Sequence, residues 1–221
     1  MTMNCFDCPD PAAVAAKAKA LASNGIKRVI LYINPGWLAD AKTVKLAHIE
    51  ALHTAGIGVA FVCEQWGGSD NFKHGDITAA TGAHHGKVCS DYMKQLGAPA
   101  GVMCAPTVDN DVNTSQIKNL CLPYAVEFRN ALDPDYAFGF YSAGALLFAL
   151  ENVKPGILTY PWLSNAGGWS RSHEYAATGR AAITQQRDTK FLGLDIDPNV
   201  LLPAAEAAFW MPANTVVDLN T

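Results

Sequence analysis

Four short apolar runs, residues 28–33 (RVILYI), 59–64 (VAFVCE), 101–109 (GVMCAPTVD) and 137–142 (AFGFYS), are separated by segments of helical character, and this alternation constrains the chain more than any other feature. The runs are apolar throughout instead of alternating with polar residues, so both faces of each strand are expected to be buried. Strands joined by helices are joined by right-handed crossovers, which leads to a parallel sheet covered by helices. An open doubly wound sheet or a closed barrel satisfies that description.

Punctuation supplies the element boundaries. Residues 4–7 read as a short strand halted at Cys8-Pro9, after which Asp10 and Pro11 offer an N-cap and a first-turn proline to an Ala-rich helix ending at Asn24-Gly25. A second helix is expected over 43–55. After strand 59–64, the Gly-rich stretch 65–75 reads as a loop, and Asp76 is the expected cap of a helix ending near Leu96-Gly97. Pro106 sits awkwardly inside its run, because proline removes a ladder donor. Helix 114–132 follows, then strand 137–142 and helix 143–151. Beyond them the strand-like stretches 157–163, 182–186 and 193–197 are separated by loop-rich sequence. No Gly-rich dinucleotide fingerprint and no GxxxxGK[ST] follows any strand, and eight strands suffice to close a barrel. The expectation is an α/β fold: an irregular TIM-like barrel of five β/α units followed by three strands, with residues 1–221 forming one domain.

Composition removes several functional classes. A chain of 221 residues, half of them apolar, can bury one sizeable core. Net charge −4 and pI near 5.8 offer no general attraction to polyphosphate, so nucleic acid is not an expected partner. No basic segment followed by an apolar stretch opens the sequence, and no run approaches the roughly 18 residues of a transmembrane helix. Neither a signal peptide nor a membrane partner is therefore expected. Six scattered cysteines read as buried thiols, the Cys5-x-x-Cys8 pair included, and neither a metal nor a cofactor is expected. A GxSxG elbow and an HExxH motif are both missing.

Chemistry enters through the ends of the strands. Catalytic groups of β/α barrels project from the carboxyl ends of strands, and here those ends carry Asp7, Glu64, Asp109, Asp111 and Asp195, with Tyr141, Trp162 and Gln185 among them. Asp109 and Asp111 are two apart, hence on one side of an extended strand. Asp197, which precedes Pro198, reads more readily as a turn former. Grouped carboxylates suit glycoside hydrolysis, where one acid donates a proton to the leaving oxygen and another acts as nucleophile, base or stabiliser. A divalent cation would also accept such a cluster. The aromatic side chains of Trp37, Trp66, Tyr141, Trp162 and Trp169 favour sugar rings instead.

The strings FDCPDP, RVILYINP, VAFVCEQWGG, PTVDND, FGFYS, YPWLSNAGGWS, ITQQR and LDIDPN, in this order over nearly the whole chain, resemble the glycoside-hydrolase-like domain family related to family 25 lysozymes. The resemblance implies a barrel of five β/α units and three further strands that cleaves the muramic acid to glucosamine linkage of peptidoglycan. It also implies that Asp7, Asp109 and Asp195 are the acids of strands 1, 4 and 8, and that Gln185 is the glutamine of strand 7. Asp111 stands where the lysozymes have the glutamate that serves as general acid. Its side chain is shorter, and displacement on the order of 1 Å is costly to rate, so Glu64 competes with it for that role.

The expected function is hydrolysis of peptidoglycan or another wall polysaccharide, with Trp37, Trp66, Tyr141, Trp162 and Gln185 binding substrate. The alternative is a non-catalytic glycan-binding module of a wall-associated or bacteriophage protein, acting as a monomer or within a larger assembly. A metal-dependent phosphoester hydrolase ranks third. An extracellular, cell-wall or virion location accompanies the first two.

Overall fold

The computed structural model describes residues 3–65, 70–164 and 166–213. Its strands are β1 (Cys5–Cys8), β2 (Arg28–Ile33), β3 (Gly58–Cys63), β4 (Met103–Pro106), β5 (Ala137–Ser142), β6 (Tyr160–Leu163), β7 (Ile183–Gln185), β8 (Thr189–Phe191) and β9 (Leu194–Leu201). Strands β1 to β7 follow one another in parallel, β9 joins β7 and returns to β1, and the barrel closes on eight strands with β8 as an extra hairpin strand. Both pairings of β9 within the barrel are antiparallel. The last strand of the expected set is thus present, but it runs on to Leu201 in the opposite direction.

Strand periodicity divides the apolar residues into two cores. Phe6, Leu31, Phe61, Cys104, Phe138 and Phe140 face outward and pack under the helices. Ile30, Ala60, Val62, Met103, Ala105 and Ile183 face inward and fill the barrel. Gly139 also faces inward, where a Cβ would lie 2.7 Å from the sulfur of Met103. The glycine leaves that space to the methionine. A 3-10 turn, Pro203–Ala208, with Phe209 plugs the lower end, held by the Arg28–Glu206 ion pair at 2.8 Å. Trp210 laces onto Val59 by two backbone hydrogen bonds of 2.7 and 3.0 Å.

Helices cover the β1 to β6 side. The long helix Ala79–Leu96 meets Leu122–Ala131 across Gly82 and Gly86, where added Cβ atoms would strike the carbonyls of Tyr124 and Phe128 at 2.2 and 2.3 Å. Thr78, not Asp76, caps the long helix by accepting from the Thr81 N–H. The first helix is split at Lys17, helix 43–55 starts at Leu46, and helix 114–132 contains a π-turn over Ile117–Cys121. Pro106 is the last residue of β4, where its lost donor costs the ladder least. Among the described residues no helix is long and apolar enough to cross a membrane.

Candidate active site

The plug closes the lower end, and the upper end opens into a cavity of about 570 Å³. Inward positions near the ends of the strands line it. Asp7 comes from β1, Tyr32 from β2, Tyr141 from β5, Trp162 from β6, Gln185 from β7 and Asp197 from β9, while Glu64, Thr107 and Asp109 lie just past β3 and β4.

Asp7 is fully buried, and three side chains donate hydrogen bonds to it. The Tyr32 hydroxyl reaches Oδ1 at 2.8 Å, and the Asn199 and Gln185 amides reach Oδ2 at 2.8 and 3.4 Å. Burial nevertheless dominates, and with the charge of Asp197 it pushes Asp7 up to about 7. Asp197 is its Cα partner across the β1–β9 ladder. Half-burial and the charges of Asp188, Asp109 and Glu64 push Asp197 up to about 6. Both carboxyls are thus held above the usual carboxylate range, burial being the first cause for each.

Glu64 is raised by burial, against the opposing influence of Lys42, whose ammonium is paired with Oε1 and lies 4.6 Å from the Tyr32 ring centroid. Thr107 donates to the other oxygen at 3.5 Å. Asp109 accepts from the Tyr141 hydroxyl at 3.3 Å, and that hydroxyl also lies 2.8 Å from Gln185 Oε1. Trp162 is in the wall, but its face is packed and its Nε1 donates to Asn199 at 2.9 Å, so it supports Asp7 through Asn199. Trp169 contributes from the loop after β6.

Of the five acids expected to converge, Asp7, Glu64 and Asp109 line the cavity; Asp111 and Asp195 do not. Asp111 is exposed and accepts from the Ser170 N–H at 2.8 Å, which ties the loop after β4 to the loop after β6. Asp195 lies beyond the barrel rim in the β8–β9 hairpin, opposite Lys190 in the ladder and 3.1 Å from its ammonium, with its side chain 83% exposed. The reason is strand direction. Because β9 runs antiparallel, its start and not its end lies at the mouth, and Asp197 takes the position beside Asp7. Trp37 is 63% exposed and outside the cavity wall. Trp66 falls outside the described residues. Tyr141 and Gln185 line the cavity.

Sequence reasoning overlooked Tyr32, Lys42, Arg187, Asp188 and Asn199, and it discounted Asp197. Tyr32 had a usable signal, since alternation within RVILYI puts it on the same face as Ile30. Asn199 follows Asp197 by two residues, but only a strand continuing through Pro198 puts both on one face. Among the described residues no group of His, Cys, Asp and Glu is arranged to hold a metal ion.

A family model described as Rv2525c-like, glycoside hydrolase-like domain matches residues 19–201. No protein of curated function matches the chain. Among solved structures, the Tat-secreted protein Rv2525c of Mycobacterium tuberculosis, in complex with L-tartrate, superposes with TM-score 0.72 at 20% identity, covering 91% of this chain and 96% of that one. An uncharacterized protein of B. stearothermophilus gives 0.67 at 11% identity, covering 93% and 98%. The modular autolysin LytC of Streptococcus pneumoniae gives 0.54 at 13% identity, covering 90% of this chain and 46% of LytC. These likenesses establish the barrel fold.

Proposed function

The chain belongs to the Rv2525c-like glycoside hydrolase-like domain family, and from that premise we propose that it hydrolyses a cell-wall glycan, peptidoglycan foremost, through carboxylates at the barrel mouth. The observation that carries the reading is the pairing of Asp7 with Asp197 across the β1–β9 ladder, beside Asp109 in an open cavity, with burial raising both carboxyls above the usual carboxylate range. A glycosidase needs an acid that is still protonated at its working pH and a second carboxylate nearby.

Asp197 is the proton donor to the leaving oxygen, since it lines the cavity and is half-buried, whereas the oxygens of Asp7 are engaged by Tyr32, Asn199 and Gln185. Asp7 orients the pair. Asp109, held by Tyr141, stabilises positive charge at the anomeric carbon or attacks it. Glu64, neutralised by Lys42, fixes the wall rather than serving as the acid. Trp169 provides an apolar face for a sugar ring.

Incubating the purified protein with peptidoglycan should release reducing ends, and Asp197→Asn or Asp109→Asn should each abolish the release. Release that survives Asp109→Asn would sink the assignment. A second reading, a glycan-binding module without turnover, is favoured by one observation: the residue standing in the general-acid position, Asp111, is committed to Ser170. Retention on polysaccharide with no reducing ends, unchanged by Asp111→Glu, would establish that reading. Action outside the cytoplasm fits either one, supported by the Tat-secreted Rv2525c and the autolysin LytC on the same fold. Fractionation of the producing cell checks it.

A further inference from the structure

Among the described residues the cavity is lined by five acids, Asp7, Glu64, Asp109, Asp188 and Asp197, and by one arginine, Arg187. The other arginines are committed. Arg28 pairs with Glu206, Arg171 with Glu174 and Arg180 with Glu151, and Arg129 donates to the Leu132 carbonyl. Among the described residues Arg187 has no ion pair and no side-chain hydrogen bond, although Asp188 is its neighbour in sequence and Asp197 lines the same cavity. It is exposed, but its base is fixed, because the preceding Gln186 donates its backbone N–H to the Pro198 carbonyl at 2.7 Å and its side-chain amide to the Thr184 and Gln185 carbonyls at 3.3 Å.

A guanidinium can donate to the hydroxyls of a neutral sugar, but it engages an anionic one about twice as strongly per hydrogen bond. A cleft lined by one sign of charge repels ligands of that sign, and a carboxylate can be seated there only where a cation offsets the field locally. The planar fork of an arginine matches a carboxylate with two parallel hydrogen bonds. We propose that Arg187 is the specificity determinant of this cleft and selects a glycan whose sugar carries a free carboxylate at the β7–β8 side of the mouth. The inference rests on the glycan-cleft reading above and narrows its substrate class. Two sources supply the chemistry: the lactyl group of muramic acid once its peptide has been removed by amide hydrolysis, and the ring carboxylate of a hexuronic acid.

The test measures binding of the full chain and of its Arg187→Ala and Arg187→Lys variants to four soluble probes: peptide-stripped peptidoglycan strands, the same strands with carboxyl groups reduced to alcohols, N-acetylglucosamine oligomers and oligogalacturonate. The wild type should prefer stripped strands or oligogalacturonate over its neutral probes by about tenfold, the scale of a charge-assisted hydrogen bond. Which of the two is preferred identifies the source. Arg187→Ala should erase the preference by lowering affinity for the charged probes about tenfold more than for the neutral ones, and Arg187→Lys should restore part of it. Equal binding of charged and neutral probes by the wild type, or a preference that survives Arg187→Ala, overturns the inference and leaves the glycan cleft standing. Failure of the wild type to bind any probe overturns the glycan reading itself.

Discussion

The arc from β1 to β6 and the wall made by β7 to β9 close one barrel by different physical means. In the arc each strand is parallel to the next and has an inner and an outer apolar face, the outer one under a helix, as Phe138 and Phe140 show. In the wall β7 and β8 have three residues each, β9 is reversed, and Val200 and Leu202 are 36% and 42% exposed. The arc places its acids at the carboxyl ends of strands, whereas the wall places Asp197 midway along a strand that runs the other way. The direction of a strand, together with its register, therefore decides which residues reach the mouth.

The largest expected effect tests whether the two halves meet in one catalytic unit. Asp109→Asn in the arc and Asp197→Asn in the wall should each lower release of reducing ends by about 10²- to 10⁴-fold, the range for removal of an acid–base group. Asp111→Asn should leave release within about threefold of the wild type, because Asp111 lies outside the cavity and its loop contact is a single exposed hydrogen bond. Steady-state assays of the three variants compare them directly. A loss at Asp111 equal to that at Asp109 would mean that the loop after β4 carries the chemistry.

A stability comparison follows. Phe138→Ala, fully buried beneath the arc's helices, should cost about 3 to 5 kcal/mol, while Val200→Ala in the uncovered wall should cost less than about 1 kcal/mol. Urea titration measures both. Similar losses would show that the wall is covered in solution.

The half-buried Asp197 gives the wall a pH signature of its own. Its carboxyl is raised from 3.8 to about 6, so between those values the folded protein holds a proton that the unfolded chain has released. The stability it contributes is complete below 3.8 and is lost as pH rises through about 6. Asp197→Asn should flatten that part of the stability curve. A curve with the same slope in the variant would assign the proton to Asp7 alone.

The arc was legible because two periodicities act on it at once: apolar runs buried on both faces, and caps and glycines that stop the helices. Even there, local chemistry moved boundaries, as when Thr78 took the cap expected of Asp76 and Pro106 ended its strand. Which residues line the cavity was legible where they stand at the carboxyl ends of strands, as Asp7, Glu64 and Asp109 do. It was misread where that placement fails. The string LDIDPN contains two acids of the same alternation phase, and nothing local in it reveals that its strand runs backwards, so that Asp195 passes the rim while Asp197 meets Asp7. Partners such as Lys42 and Arg187 come from loops that carry no periodic signal at all.

The smallest expected effect is the sharpest test of that reversal. If the carboxyl end of this strand lay at the mouth, as the expected role of Asp195 required, Asp195 would belong to the acidic group and its removal would be severe. In the hairpin its partner is Lys190, both side chains are more than three-quarters exposed, and exposed ion pairs contribute about 0 to 1 kcal/mol. Asp195→Asn should therefore leave reducing-end release within about twofold and the urea midpoint almost unmoved, with Lys190→Gln matching it. An activity loss confined to Asp195→Asn, with Lys190→Gln silent, would mean that the hairpin folds over the mouth when glycan is bound and brings this carboxylate into the cleft after all.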